Sequence, residues 1–302
     1  MGVRYRFRAS LFADGSAAMM VAMSDAGNIF DLVTQAWVRR TGRKVSFAAY
    51  PWLLGPTGDA NQIDDGWLHR EAENLGGDLI EGGGLLDRMT DMGSGDFDPG
   101  LLARPIVDFY ERTSEWRMEV RCQWSAAAWP FGWFLSSVFS QRLRQLNLPL
   151  RSLDTTRGID SRIVVVRDQN ESRLGAAWLR TLRATGQTIY SGRYGTTTLP
   201  DSHCPSLRVV FPLPNGNVTA FLRPEVRPDG ALVLASPIGP FGTEGAYLVV
   251  ARPDRVSGWV RRVPLAEEFV VSVDGEGALR ADHNLRLWRI PVFQLHYRMA
   301  KV

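Results

Sequence analysis

The stretch "LRADHNLRLWRIPVFQLHYRM", residues 279–299, changes sides at every residue. Leu279, Ala281, His283, Leu285 and Leu287 fall on one side, with Arg280, Asp282, Asn284, Arg286 and Trp288 on the other. A period of two with one dry side is the mark of a half-buried strand. After Ile290 and Pro291 the pattern resumes with Phe293, Leu295, Tyr297 and Met299 as the apolar set, so the two segments read as paired strands around a short turn. His283 then sits among apolar residues near the middle of its strand. His296 shares the other side with Gln294 and Arg298, and faces away from the core unless a bulge shifts the register.

The same period extends back to Pro149, with turn signals every eight to twelve residues. Strands are expected at 161–167, 174–184, 187–196, 206–213, 217–225, 231–236, 245–251, 257–263, 267–274, 278–288 and 292–299. Asn215–Gly216, Asp229–Gly230 and Asp274–Gly275 supply tight reversals, because glycine accepts positive φ. That many antiparallel strands suffice for a barrel-like enclosure of the lipocalin or hot-dog kind, whose strand order the pattern does not give.

Residues 28–148 instead repeat every three or four positions, the helical period. Ile29, Val33 and Trp37 form one face, and Ile63, Trp67, Glu71 and Leu75 a second behind Asp64 and Asp65. "RPIVDFYERTSEWRMEVRCQW" reads as the longest helix, opened by Pro105 and striped by Ile106, Phe109, Thr113, Trp116 and Val120; "FGWFLSSVFSQRLRQL" reads as a fourth. The glycine-rich "LGGDLIEGGGLLDRM" and "DMGSGDFDPG" read as turns. Trp116, Trp124, Trp129 and Trp133 read as packing between helices and sheet. Residues 1–27, with Val3, Tyr5 and Phe7 alternating against arginines ahead of an Asp-Gly turn, read as an arm or hairpin and not as an export signal. The expected fold class is therefore α+β, with N-terminal helices packed on a large antiparallel, barrel-like sheet (149–302) as one integrated domain.

The chain has 302 residues, 45% of them hydrophobic and 22% charged, the composition of a globular protein with a sizeable core. Its net charge is +3, and all but Lys44 and Lys301 of its 35 basic residues are arginine. Acidic residues are interspersed throughout, which argues against nucleic acid as a partner. Cys122 and Cys204 lie far apart without metal or redox spacing, pointing to a reducing cytoplasm. No stretch is apolar enough for a membrane span. Oligomeric state is not legible.

No dinucleotide fingerprint, Walker loop, zinc-protease motif or nucleophile elbow is present, so no cofactor and no metal site is expected. His69 lies among charged neighbours. His203 adjoins Cys204 in a loop, where adjacent side chains point apart. His283 is the candidate acid, base or hydrogen-bonding group inside an apolar enclosure. Asp160, Arg162, Arg180, Tyr190, Arg193, Arg223, Glu225 and His296 are candidate ligand-binding groups on the surrounding strands.

"DFYERTSEWRMEV", "RQLNLPLRSLDTTRGIDSRI", "AAWLRTLRATGQTIYSGRYG", "VVFPLPNGN", "FLRPEVRPDGALVLASP" and the closing stretch resemble a group of actinobacterial proteins, over roughly residues 50–299. The resemblance implies a bacterial origin and carries no activity with it. From the residues, the expected function is binding of a largely apolar small molecule inside the sheet. Any reaction would be a cofactor-independent isomerisation or cyclisation, of the kind enclosed sheets serve in natural-product pathways. The alternatives are a non-catalytic carrier or sensor of the same ligand, and a structural or partner-binding protein with a filled core.

Overall fold

The computed structural model describes residues 31–58, 65–124, 159–183, 186 and 188–302, apart from the side chains of 122–124, 189 and 293. The hairpin expected over 1–27, the helix expected in "FGWFLSSVFSQRLRQL", and the packing roles of Trp124, Trp129 and Trp133 lie outside what is described.

The elements run α1 (31–41), β1 (Arg43–Ser46), α2 (Gly66–Leu75), β2 (Gly77–Glu81), α3 (Arg104–Glu111), β3 (Trp116–Trp124), β4 (Ile159–Asp168), β5 (Arg173–Leu182), β6 (Thr188–Thr198), β7 (Pro205–Leu213), β8 (Gly216–Val226), β9 (Leu232–Ser236), β10 (Gly245–Ala251), β11 (Ser257–Val263), β12 (Leu265–Val273), β13 (Leu279–Leu287) and β14 (Ile290–Lys301). All eleven expected strands are present, β4 to β14, and every ladder between them is antiparallel.

The strand β8 serves two branches. Its first half, Gly216–Phe221, pairs with β10, which continues to β11 and β1; its second half, Arg223–Val226, pairs with β9, which continues through β12, β13 and β14 to β3. The path starts at β2 and ends at β3, with no ladder joining these ends among the described residues. The fold is thus a mostly antiparallel sheet with helices, and the expected barrel is corrected to a curled, unclosed sheet. Period-two patterning fixes which residues face inward, but closure depends on which distant strands meet, which no local pattern encodes.

The long helix expected over "RPIVDFYERTSEWRMEVRCQW" is also corrected. It stops at Glu111, Thr113 turns its hydroxyl onto the Phe109 carbonyl (2.6 Å), and Trp116–Trp124 is strand β3, paired with β14. Trp116, Val120 and Trp124 recur every four residues, a spacing that suits a helix and a strand equally. Met118 and the alternating Arg117, Glu119 and Arg121 make the strand reading the consistent one. The short strands β1 and β2, the latter inside a glycine-rich segment read as a turn, were not expected either.

The β13–β14 hairpin turns at Trp288 and Arg289, two residues earlier than the expected Ile290–Pro291, with Trp288 in the left-handed region (φ 52°). Pro291 enters β14, and the register shifts beside it at Leu285/Arg286, a usual accommodation for a residue that cannot donate to a ladder.

The principal core lies on the concave side, where α3 inserts Ile106, Phe109 and Tyr110. On the convex side α2 sets Trp67, Leu68 and Ala72 against Val164, Val166, Ala177 and Leu179. That cover explains why β4 and β5 are apolar on both faces. Full burial of a side chain such as Ile106 or Leu68 contributes about 1.5–3 kcal/mol.

Candidate functional site

Inside the curl, between β5–β7 on one side and β12–β14 on the other, lies a cavity of about 140 Å³. Its wall is mostly aliphatic and aromatic, with Phe109 and Tyr110 from α3 closing one side. Into this wall the strand period delivers a few polar groups: Arg180 from β5, Tyr190 and Tyr194 from β6, Glu267 from β12, His283 from β13 and Tyr297 from β14.

Arg180 lies on aromatic faces. Its guanidinium carbon is 3.7 Å from the centre of the Trp178 ring, 4.8 Å from Tyr190 and 5.7 Å from Tyr297, and its Nε is buried without a hydrogen-bond partner among the described residues. Stacking on electron-rich rings stabilises a cation while leaving its edge available to an anion. Trp178 is anchored by its own Nε1 donating to Ser161 Oγ at 2.7 Å. The hydroxyls of Tyr190 and Tyr194 hydrogen-bond to each other. Burial raises the pKa of both phenols, with Tyr194 reaching about 12, so they stay protonated.

His283 is opposite Phe269 in the β12–β13 ladder, and the two rings stack at 3.8 Å with 15° between planes. Burial, and secondarily the Arg180 charge, lower its pKa to about 3, so the imidazole is neutral at physiological pH. Two residues from Phe269, Glu267 is half-buried and lines the cavity; burial raises its carboxyl to about 7. One cavity therefore holds a cation, a neutral imidazole and a carboxyl poised near neutrality.

Three of the nine residues singled out in the sequence meet here: Arg180, Tyr190 and His283. The others lie elsewhere. Asp160 pairs with Arg183 at 2.7 Å, Arg162 with Asp65 and Glu81, and Arg223 with Glu225 at 2.8 Å, all exposed. His296 is exposed and bonds Asp282 at 2.6 Å, because the bulge falls beyond the His283–Leu295 pair and leaves its side unchanged. Arg193 is on the convex face beside Glu71. Cys204 is buried and contacts Ser94 and Asp96, with His203 exposed.

Sequence reasoning missed Glu267, the polar role of Tyr297 and the role of Trp178. For Glu267 the signal was available: in "LAEEFVVSV" it alternates with Leu265, Phe269 and Val271, the same anomaly that marks His283. Among the described residues no cluster of three or more His, Cys, Asp or Glu is arranged to hold a metal.

No family model and no solved structure matches the chain. It is similar to the uncharacterized membrane protein YndJ of Bacillus subtilis (strain 168), at 28% identity over 222 residues. The match covers 72% of this chain and 38% of that protein, so the chain spans about two fifths of the relative's length. The similarity is bacterial, as the quoted segments implied, but it does not extend to an actinobacterial grouping. Among the described residues no helix is long and apolar enough to cross a membrane, a statement that does not bear on strands.

Proposed function

We propose that the protein binds a small, largely apolar molecule of about single-ring size, carrying one acidic oxygen, in the concave cavity. The observation that carries this reading is the convergence of Arg180, Glu267 and His283 on one apolar space of about 140 Å³. Apolar cavities of about this volume accept a benzene-sized guest. Arg180 receives the anionic oxygen, the rings beneath it exclude water, and neutral His283 supplies a hydrogen bond. Turnover, in this reading, is an isomerisation: the Glu267 carboxylate takes a proton from one carbon of the ligand and returns it to another, with no outside reactant. A pKa near the working pH suits that exchange. A carrier uses the same contacts without the proton transfer.

Benzoate and toluene are suitable probes, since they differ by the charge that Arg180 is proposed to meet. Calorimetry is expected to show benzoate binding at least about tenfold more tightly than toluene, with the difference lost in Arg180→Met. Equal affinities in the unmodified protein would overturn the reading.

A further inference from the structure

Bordering the same strands, three arginines converge on a second pocket. Arg173 from β5, Arg193 from β6 and Arg208 from β7 line this pocket of about 210 Å³, together with Asp87, Asp91 and Gly195. Some of their donors are used locally. Arg173 reaches Asp87 Oδ1 (2.7 Å) and the Gly84 carbonyl (2.6 Å), Arg193 the Leu174 carbonyl (2.5 Å), and Arg208 the Leu54 carbonyl (2.5 Å). The Nε atoms of all three are buried with no hydrogen-bond partner among the described residues.

Carboxylates are too few here for the guanidiniums. Asp87 Oδ1 is shared between Arg173 and Arg167, each at 2.7 Å; Asp91 is engaged by Arg88 at 3.0 Å; Glu71 is 3.5 Å from Arg193 Nε. Arg208 makes no salt bridge among the described residues. Burial, and then the nearby Arg193, hold Arg208 down to about 9, and burial also lowers Arg173 and Arg193. Dry, unmatched guanidinium donors are costly unless an anion meets them.

Two glycines shape the space. A Cβ at Gly175 would come 2.9 Å from Arg193 Nε, so glycine there lets the guanidinium lie across β5. A Cβ at Gly195, paired with Arg208 in the β6–β7 ladder, would meet nothing within 4 Å.

We propose that this arginine pocket binds the phosphoryl group of a phosphate monoester, gripped by Arg173, Arg193 and Arg208. Donors arriving from three strands suit a tetrahedral group with three terminal oxygens better than a planar carboxylate, and its double charge answers the guanidinium excess. The site shares only Tyr194 with the cavity wall and does not rest on the function proposed for the cavity.

Inorganic phosphate is the first probe, titrated against sodium chloride at matched ionic strength and read by thermal unfolding. A phosphate-specific rise in Tm is expected for the unmodified protein and for Arg180→Met. Arg208→Gln is expected to weaken phosphate at least about tenfold. Gly195→Leu, whose side chain enters open space, is expected to abolish the rise while circular dichroism shows it folded; it keeps the test decisive if Arg208→Gln fails to fold. Glycerol 3-phosphate and vesicles of phosphatidic acid in phosphatidylcholine then distinguish a soluble monoester from a lipid headgroup. Equal stabilisation by phosphate and chloride, or a rise retained in Gly195→Leu, would overturn the proposal.

Discussion

Strands β5, β6 and β7 present two faces that treat charge in opposite ways. Toward the cavity, Arg180 rests on Trp178, Tyr190 and Tyr297, Glu267 has its ionisation pushed toward neutrality, and His283 is kept uncharged. In the second pocket, Arg173, Arg193 and Arg208 are held by carbonyls and a few carboxylates beside open space. One sheet thus borders a mostly apolar cavity and an arginine-rich pocket, whose walls meet at Tyr194. The contrast implies that substitutions inside should act through packing and proton binding, and those at the solvent-facing edge through screened charge.

The largest effect is expected at Trp178, which packs edge-on or tilted against Phe109, Tyr190 and Tyr194 and supports Arg180. Trp178→Ala removes the platform between α3 and β6 and is expected to cost about 3–5 kcal/mol in urea unfolding. A cost below about 1 kcal/mol would mean that the concave wall is not a packed interior, and the distinction between the faces would fail.

Proton binding sharpens the contrast further. Glu267 titrates near 7 in the folded protein against an ordinary 4.5, so the folded state holds its proton more tightly. Its contribution is full below pH 4.5 and is lost as pH rises through 7. His283 runs the other way: with a folded value near 3 against 6.5, stability falls as pH drops from 6.5 toward 3. Between pH 4.5 and 6.5 the two slopes oppose each other. Glu267→Gln should remove the loss on the alkaline side, gaining on the order of 2 kcal/mol relative to the unmodified protein between pH 4.5 and 7. His283→Phe should remove the acid-side loss between pH 6.5 and 3, a larger effect because its pKa is displaced further. Urea midpoints measured across pH 3–8 read both, and parallel curves for all three proteins would place the two groups in water.

How much of this was legible follows from the range of each signal. Strands β4 to β14 were readable because period and turn chemistry are local, and His283 because one titratable group broke an otherwise apolar alternation. The strand at Trp116–Trp124 was misread because its four-residue recurrence fits both periods until its partner β14 is known. Glu267 was passed over because a carboxylate beside Glu268 reads as a wet face, although only one of the pair faces water. Arg180 was singled out, but its three-ring platform is assembled from β5, β6 and β14, a juxtaposition created by the curl of the sheet. The arginine pocket is non-local in the same way, since Arg173, Arg193 and Arg208 carry no common spacing.

The smallest effect is expected at an exposed network of ion pairs. Arg162 on β4 donates to Glu81 on β2, with Nε 2.9 Å from Oε1, and to Asp65 beside α2, with Nη1 at 2.6 Å. Glu81 is the main influence raising its pKa, yet the side chain is 47% exposed, so water screens what the geometry suggests. Exposed pairs of this kind are worth about 0–1 kcal/mol. Arg162→Gln should therefore cost less than about 1 kcal/mol at low salt. The cost should shrink toward zero near 1 M salt, where charges more than about 3 Å apart are screened. A salt-independent loss of 3 kcal/mol or more would mean that Arg162 clamps β2 and α2 onto β4 as an interior residue would. The line between a dry concave face and a screened outer one would then have to be redrawn along β4.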